Sequence, residues 1–397
     1  MRGIKTTAFL SVCALFGVAQ AHGQSTAASG MDGMSGMSME VPQLPHAPVV
    51  VRVDSARHEV EITAGPFHLP AMPPGMDMME MMGDMAGGHA AHLEQLITRF
   101  KWPMTDWLRG YHLEITDQNG KLLPQRTMHH MEFVNFDRRQ LVYPLAERVL
   151  GIGEETATIM LPRTVGLPLT KGQEVGVFLM WNNDTGHDMD GVMLHFMLKS
   201  SPANLTPRPV AVLPFKVDVN SHPGMPDSWD VPPGPGTYSK ASIFTVPVSG
   251  RLLGIGGHMH DHGVEMRIED VATGKVLAHV HAIRDSSGDV SGVSRQLLAV
   301  KGKGPHLRVG REYRMVAVYE NHSTETLKGV MAVIGGLFAP DNIKQWPAVD
   351  RNSAEYQRDI AVMLHPTVDL AASSTFAFSD DDSGIDYLSL VSPEARF

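Results

Sequence analysis

The chain is expected to be all-β: two tandem jelly-roll-like antiparallel β-sandwich domains, the first carrying a methionine-rich insert. Three observations predict this. Short runs such as RHEVEI, YHLEIT and VEMRIED alternate polar and apolar residues, the period of a half-buried strand. Gly and Pro punctuate them, and Asn119-Gly120 within DQNGK marks a tight turn. Such runs recur from APVVVRV to GVMAVIGGLFAP, and many short strands with turn signals bury their apolar faces best as packed sheets. A length of 397 residues suits two cores of roughly 150 residues each.

In chain order, residues 1–21 read as a secretory signal: Arg2 and Lys5, a short apolar core over Ala8–Val18, and a cleavage site at Ala19-Gln20-Ala21. The expected location is periplasmic or secreted. The single cysteine, Cys13, lies in that signal, which leaves the mature part without a disulfide. Residues 22–46 hold Met31, Met34, Met37 and Met39 among Gly, Ser and Asp and are expected to be disordered. The first sandwich spans 47–200, with an insert at 70–100 that contains Met72, Met76, Met78, Met79, Met81, Met82 and Met85 and then His89 and His92. Pro73, Pro74, Gly75 and Gly83 break any long helix there, so these methionines read as a metal-catching loop. Leu93, Leu96, Ile97 and Phe100 recur at helical spacing and predict a helix over 89–100, with His89 and His92 neighbours on it. SSPANLTPRP reads as the linker to a second sandwich over 205–340. The extension 341–397 should carry a short helix from Ser353 to Leu364, opened by an Asn352-x-x-Glu355 cap, and an acidic tail.

Composition narrows the function. A formal net charge of −10 opposes nucleic acid or an anionic membrane as partner. No later run reaches the roughly 18 apolar residues of a membrane span. No GxSxG elbow, phosphate loop or HExxH motif occurs. What stands out is 26 Met and 20 His against one Cys. Thioether and imidazole together suit copper, with sulfur favouring Cu(I).

The histidines cluster in motifs. In GGHMHDHG, His258 and His260 are two apart, so on a strand they share a face and can hold one ion; Asp261 and His262 are candidates to orient the rings. His129 and His130 in MHHME are adjacent, and serve one ion only at a strand end or bulge. Met331 in GVMAVIGGLF has an ordinary core role as its default. His279 and His281 share one strand face and are expected to be solvated.

Taken in order, HHM, HMH and a late strand Met resemble the copper type II, ascorbate-dependent monooxygenases, the family of peptidylglycine α-hydroxylating and dopamine β-monooxygenases, in its bacterial branch. The stretches that carry the resemblance are WLRGYHLEITDQNGKLLPQRTMHHM, GGHMHDHGVEMRIEDVATGKVL and YENHSTETLKGVMAVIGGLFAP. It implies one copper held by His258, His260 and Met331, where dioxygen is used. It implies a separate copper at His129 and His130 across the interdomain cleft, a small-molecule substrate and a reductant. One departure matters: where the family has the third histidine of the second copper, this chain has Trp181 and Asn182. Asn182 is a poor copper ligand, and His195, beside Met193 and Met197 on one face of GVMLHFML, is the alternative, with plain burial of that face as the competing reading. The second site is therefore expected to be incomplete.

Two other functions compete. On the same scaffold, a non-enzymatic protein for copper storage, delivery or tolerance would exchange the ion with donor or acceptor proteins, with Met76, Met79, Met82, His89 and His92 as additional capture ligands. A cupin would instead use His258, His260 and Glu265 as a mixed nitrogen and oxygen site, but a second cupin motif is lacking.

Overall fold

The computed structural model describes residues 48–71, 94–153, 156–183, 185–219, 229–286, 288–298 and 304–363. The signal, the segment 22–46, Met72 to Met85, His89, His92 and the acidic tail lie outside them. The regular secondary structure of the described residues is almost all strand, and no helix among them is long and apolar enough to cross a membrane.

Two sheets form the first sandwich. The larger has seven strands, with Met189–Pro202 between Glu59–Leu69 and Asp106–Thr116. The smaller has four and places Met128–Arg139 between Glu174–Trp181 and Ala146–Gly153. Alternation drives the pairing: Val192, Leu194, Phe196 and Leu198 face Met131, Phe133, Val177 and Leu179 across one core. Pairing is antiparallel except at Val210–Ala211, which runs parallel to Val165–Gly166. The Asn119-Gly120 turn forms, with Gly120 at φ 81° and Asp117 accepting from the backbone N–H of Asn119 and Lys121. The strand beyond it does not close a hairpin, because Met128–Arg139 crosses to the other sheet.

The helix expected over 89–100 is replaced by a strand, Glu94–Lys101, on the edge of the smaller sheet. A bulge sets Leu96 opposite Phe178 and Thr98 opposite Val177, so the extra residue Ile97 shifts the phase of alternation. One shifted strand period spaces its apolar residues much as a helix does.

The second sandwich packs the sheet containing Leu213–Asp218, Ala332–Pro340 and Gly250–Met259 against the sheet containing Thr237–Phe244, Tyr313–Glu320, Gly263–Asp270 and Val276–Arg284. Its core is Phe215, Ile255, Met266, Ile268, Met315, Tyr319, Ile334 and Phe338 with their neighbours. The one described α-helix, Ala354–Met363, starts on Ser353, whose hydroxyl accepts from Tyr356 N–H at 3.1 Å; Asn352 is not the cap. Tyr356 and Met363 cover Phe136 and Phe178 on the outer face of the smaller first sheet.

The two sandwiches belong to one compact unit, and a chain of ionic contacts joins them. Lys216 Nζ of the second lies 2.9 Å from Glu132 Oε1 of the first, Arg148 Nε lies 2.8 Å from Glu132 Oε2, and Arg148 Nη1 lies 2.6 Å from Asp359 on the helix. Burial alone would raise the Glu132 carboxyl, but Lys216, Arg148 and His130 outweigh it and hold it below its ordinary range. The Tyr143 hydroxyl adds a bridge, accepting from Asp218 N–H at 2.9 Å. Removing one charge from such a network strands the others, at a cost of about 3–5 kcal/mol. Glu132→Gln should therefore lower the unfolding free energy by about that amount in urea titrations, and a loss under about 1 kcal/mol, the scale of a surface pair, would show that the contact is not a buried one.

Candidate metal centre

The MHHM motif carries its own geometric instruction. Met128 and Met131 are both fully buried, yet residues three apart on a regular strand point to opposite faces. The structure resolves this with a bulge: Met128 pairs with Trp181 and His130 with Met180, leaving His129 as the extra residue. Both methionines enter the core and both imidazoles turn outward, their ring centres 5.2 Å apart. This is the condition under which adjacent histidines can share an ion.

On the second sandwich, Ile255 and Met259 of Gly250–Met259 point into the core, so Gly256, His258 and His260 face the other way, toward the first sandwich. Gly257 has no room for a side chain. A Cβ there would sit 2.3 Å from the Val333 carbonyl and 2.6 Å from Met266 Cε. The neighbouring strand runs with Val333 opposite His258 and Ala332 opposite Met259, which brings Met331 beside His260. The Tyr319 hydroxyl ties the two positions: it accepts from His260 N–H at 3.1 Å and donates to the Met331 carbonyl.

The two histidine motifs meet. One ring nitrogen each of His129, His258 and His260 lies within 4.8 Å of the others. The His129 ring centre is 5.9 Å from that of His258 and 6.0 Å from that of His260. Imidazoles on a tetrahedral ion, with bonds of about 2.0–2.1 Å, stand about 3.4 Å apart, so small rotations close the set. The sheet faces that carry the two motifs pack together, and His129 lies in one cluster with His258 and His260, which His130 does not join.

Its chemistry suits a cation. His129 Nε2 and His258 Nε2 are buried with no hydrogen-bond partner. Leaving one buried polar atom unpaired costs about 1–3 kcal/mol, a cost a shared metal ion would offset. Burial first, then His130 and His258, push His129 down to about 3. Burial, then His130 and Lys216, push His258 down to about 4. His260 lies well below its ordinary value through burial and the other three imidazoles, with only the Gly329 backbone acting the other way. All three rings are neutral at neutral pH and present lone pairs, the ligand form of histidine.

Other expected contributors fall elsewhere. Trp181 is core, edge-on to Phe67 at 5.0 Å. Asn182 N–H donates to the Thr127 carbonyl at 2.8 Å, and its Oδ1 is buried and unpaired next to the bulge. His195 does not join the cluster. It sits on the outer face of the seven-stranded sheet, 3.3 Å from Thr116 Oγ1, with the whole core between it and His129. The Asp261 carboxylate accepts from Val290 N–H at 2.6 Å. His262 forms the turn at φ 66°.

Beside the centre lies a cavity of about 300 Å³ between the sandwiches. Its floor continues the histidine-bearing strand backward through Gly256 and Gly254 and crosses to Gly335, while Gly151 and Ile159 contribute from the first sandwich. A Cβ on Gly335 or Gly151 would meet nothing within 4 Å, so these glycines keep space open where a side chain would fill it. Arg109 and Arg295 reach the wall and are held by neutral oxygens, Arg109 by the Leu161 carbonyl and Ser201 and Arg295 by Thr156. No motif marks this cavity in the sequence. The available signal was the spacing Gly254, Gly256, His258, His260 on one strand face.

A single shared site predicts that His129→Ala, His258→Ala and His260→Ala each abolish the same equivalent of metal binding, while His195→Ala leaves it. Metal analysis after loading with Cu(I) and dialysis checks this. Retention of that equivalent by His129→Ala, with loss in the other two, would place His129 outside the site.

No family model matches the chain, and no curated protein matches it. Among solved structures, the chain is similar to one described as the STIV MCP, at 8% identity over 65% of this chain and 94% of that one, with a TM-score of 0.34. It is also similar to a putative secreted protein from Eubacterium rectale, at 7% identity over 62% and 68% with a TM-score of 0.21. A third likeness is to PNGF-II, at 10% identity over 70% and 59% with a TM-score of 0.24. Likenesses this slight carry no argument about what this chain does.

Proposed function

We propose that this is an exported copper-binding protein of the ascorbate-dependent monooxygenase type, which holds copper between its sandwiches and hydroxylates a C–H bond of a small molecule in the adjoining cavity. The observation that carries the reading is the cluster of neutral imidazoles on His129, His258 and His260, with Gly254, Gly256 and Gly257 of the strand that bears His258 lining an open cavity. Three imidazoles alone suit several metals; the placement of Met331 beside His260, in a chain so rich in Met and poor in Cys, favours copper. When bound, copper would supply the one-electron chemistry that lets dioxygen react with a C–H bond. Overall, R–H, O2, two electrons and two protons give R–OH and water, the electrons coming from an external reductant.

The chain's own residues have definite parts in this. His129, His258 and His260 hold the ion; the Tyr319 hydroxyl fixes the backbone of His260 against that of Met331. Gly254, Gly256 and Gly335 leave the substrate's volume free along the same strand face. The interdomain packing buries His260 and half-covers His129 and His258. With His129 in the same cluster as His258 and His260, a single copper held there would pass one electron at a time, so both electrons would have to come in turn from the external reductant.

A second reading, copper storage or delivery without turnover, is favoured by the number of methionines at 31–39 and 72–85. Ascorbate-dependent oxygen consumption by the copper-loaded protein, measured with a panel of small organic molecules, separates the two. The expected result is substrate-stimulated consumption that Gly335→Leu reduces at least tenfold while copper content stays unchanged. Copper bound without any consumption would favour storage.

A further inference from the structure

The outer sheet of the second sandwich carries another set of metal-type side chains, remote from the mechanism above. On Gly263–Asp270, Met266 and Ile268 are fully buried, so alternation turns Glu265, Arg267 and Glu269 outward. On its antiparallel neighbour Val276–Arg284, Ala278 and Val280 point in and His279 and His281 point out. The register pairs Glu265 with His281 and Arg267 with His279. Cross-strand and same-strand neighbours on one face of a sheet are within side-chain reach.

The contacts are close. His279 Nε2 lies 2.9 Å from Glu265 Oε2, and the His279 and His281 ring centres are 4.0 Å apart at 68°. One ligand atom from each of Glu265, His279 and His281 lies within 4.8 Å of the others. Arg267 Nη1 donates to the other Glu265 oxygen at 2.6 Å, which fixes the carboxylate with Oε2 toward the imidazoles. Arg267 is itself compensated by Glu269 Oε1 at 2.6 Å. The strand beneath is pinned from its far side: His279 N–H donates to Gln296 Oε1 at 3.1 Å and His281 N–H to Ser294 Oγ at 2.8 Å. An ion pair of His279 with Glu265 accounts for one of these contacts, but it gives the second imidazole, edge-on to the first, no role.

We propose that Glu265, His279 and His281 form a second, surface metal site that takes a divalent ion such as Zn(II) or Cu(II). Two imidazoles and one carboxylate, with no sulfur, make a borderline to hard donor set, suited to the divalent state and ill suited to Cu(I). Three protein ligands on an open sheet face leave the remaining positions to water, so the ion should exchange readily. The site is independent of the buried centre in both location and donor type.

The test uses the full chain with His129, His258 and His260 all changed to Ala, so that the buried centre is silent, titrated with Zn(II) by calorimetry. One equivalent should bind, and adding His279→Ala with His281→Ala should abolish it. Glu265→Gln should weaken it at least tenfold, with the thermal melt of the metal-free protein unchanged. In the otherwise wild-type chain, His279→Ala with His281→Ala should leave the buried copper intact, so this proposal and the proposed function fail separately. An unchanged Zn(II) equivalent in the His279, His281 variant, or no equivalent at all in its parent, would overturn the site.

Discussion

The meeting of the histidines from the two sandwiches depends on one half-buried carboxylate. Glu132 accepts Lys216 from the other sandwich and Arg148 from its own, and Arg148 passes the tie on to Asp359 of the helix. Glu132 lies two residues from His130, on the strand that presents the bulge. Lys216 lies on Leu213–Asp218, paired through Gly335 to the strand next to His258. An ionic network taken out of water contributes little net stability compared with an apolar replacement, but it penalises any packing that separates its members. Here that penalty fixes the alignment of two sandwiches whose apolar contacts alone would tolerate sliding, and so it sets which imidazoles meet.

Much of the fold was legible because alternation is a local property. Strand faces, the Asn119-Gly120 turn and the pairing of His258 with His260 on one face all follow from residues a few positions apart. Bulges were the main source of error, since each adds one residue and shifts the phase. At Ile97 the shift imitated a helix. At His129 it turned two neighbours to the same side, and the signal for it, Met128 and Met131 both needing the core, is visible in the sequence once a core is assumed. That His129 lies against His258 and His260 was not legible. It depends on contacts between residues more than one hundred positions apart, which no local period encodes.

Holding His129 in one cluster with His258 and His260 changes what the chain can do. Two coppers set apart need a route for the second electron, and the absent third histidine at Trp181-Asn182 would leave one of them poorly held. A cluster with imidazoles from both sandwiches does not rely on that missing histidine, though the second electron would still have to come from the reductant. The affinity of an ion held there would depend on the interdomain packing, and its binding would stabilise that packing by linkage. The surface set at Glu265, His279 and His281 lacks this coupling because all its ligands come from one sheet.

The most direct test is a Cu(I) titration followed by NMR of the histidine ring protons in protein labelled only at histidine. The account predicts that the His129, His258 and His260 resonances shift in concert over one equivalent and reach their end points together. If His258 and His260 complete their shifts while His129 moves only with a further equivalent, the two sandwiches hold separate ions and the shared centre is wrong.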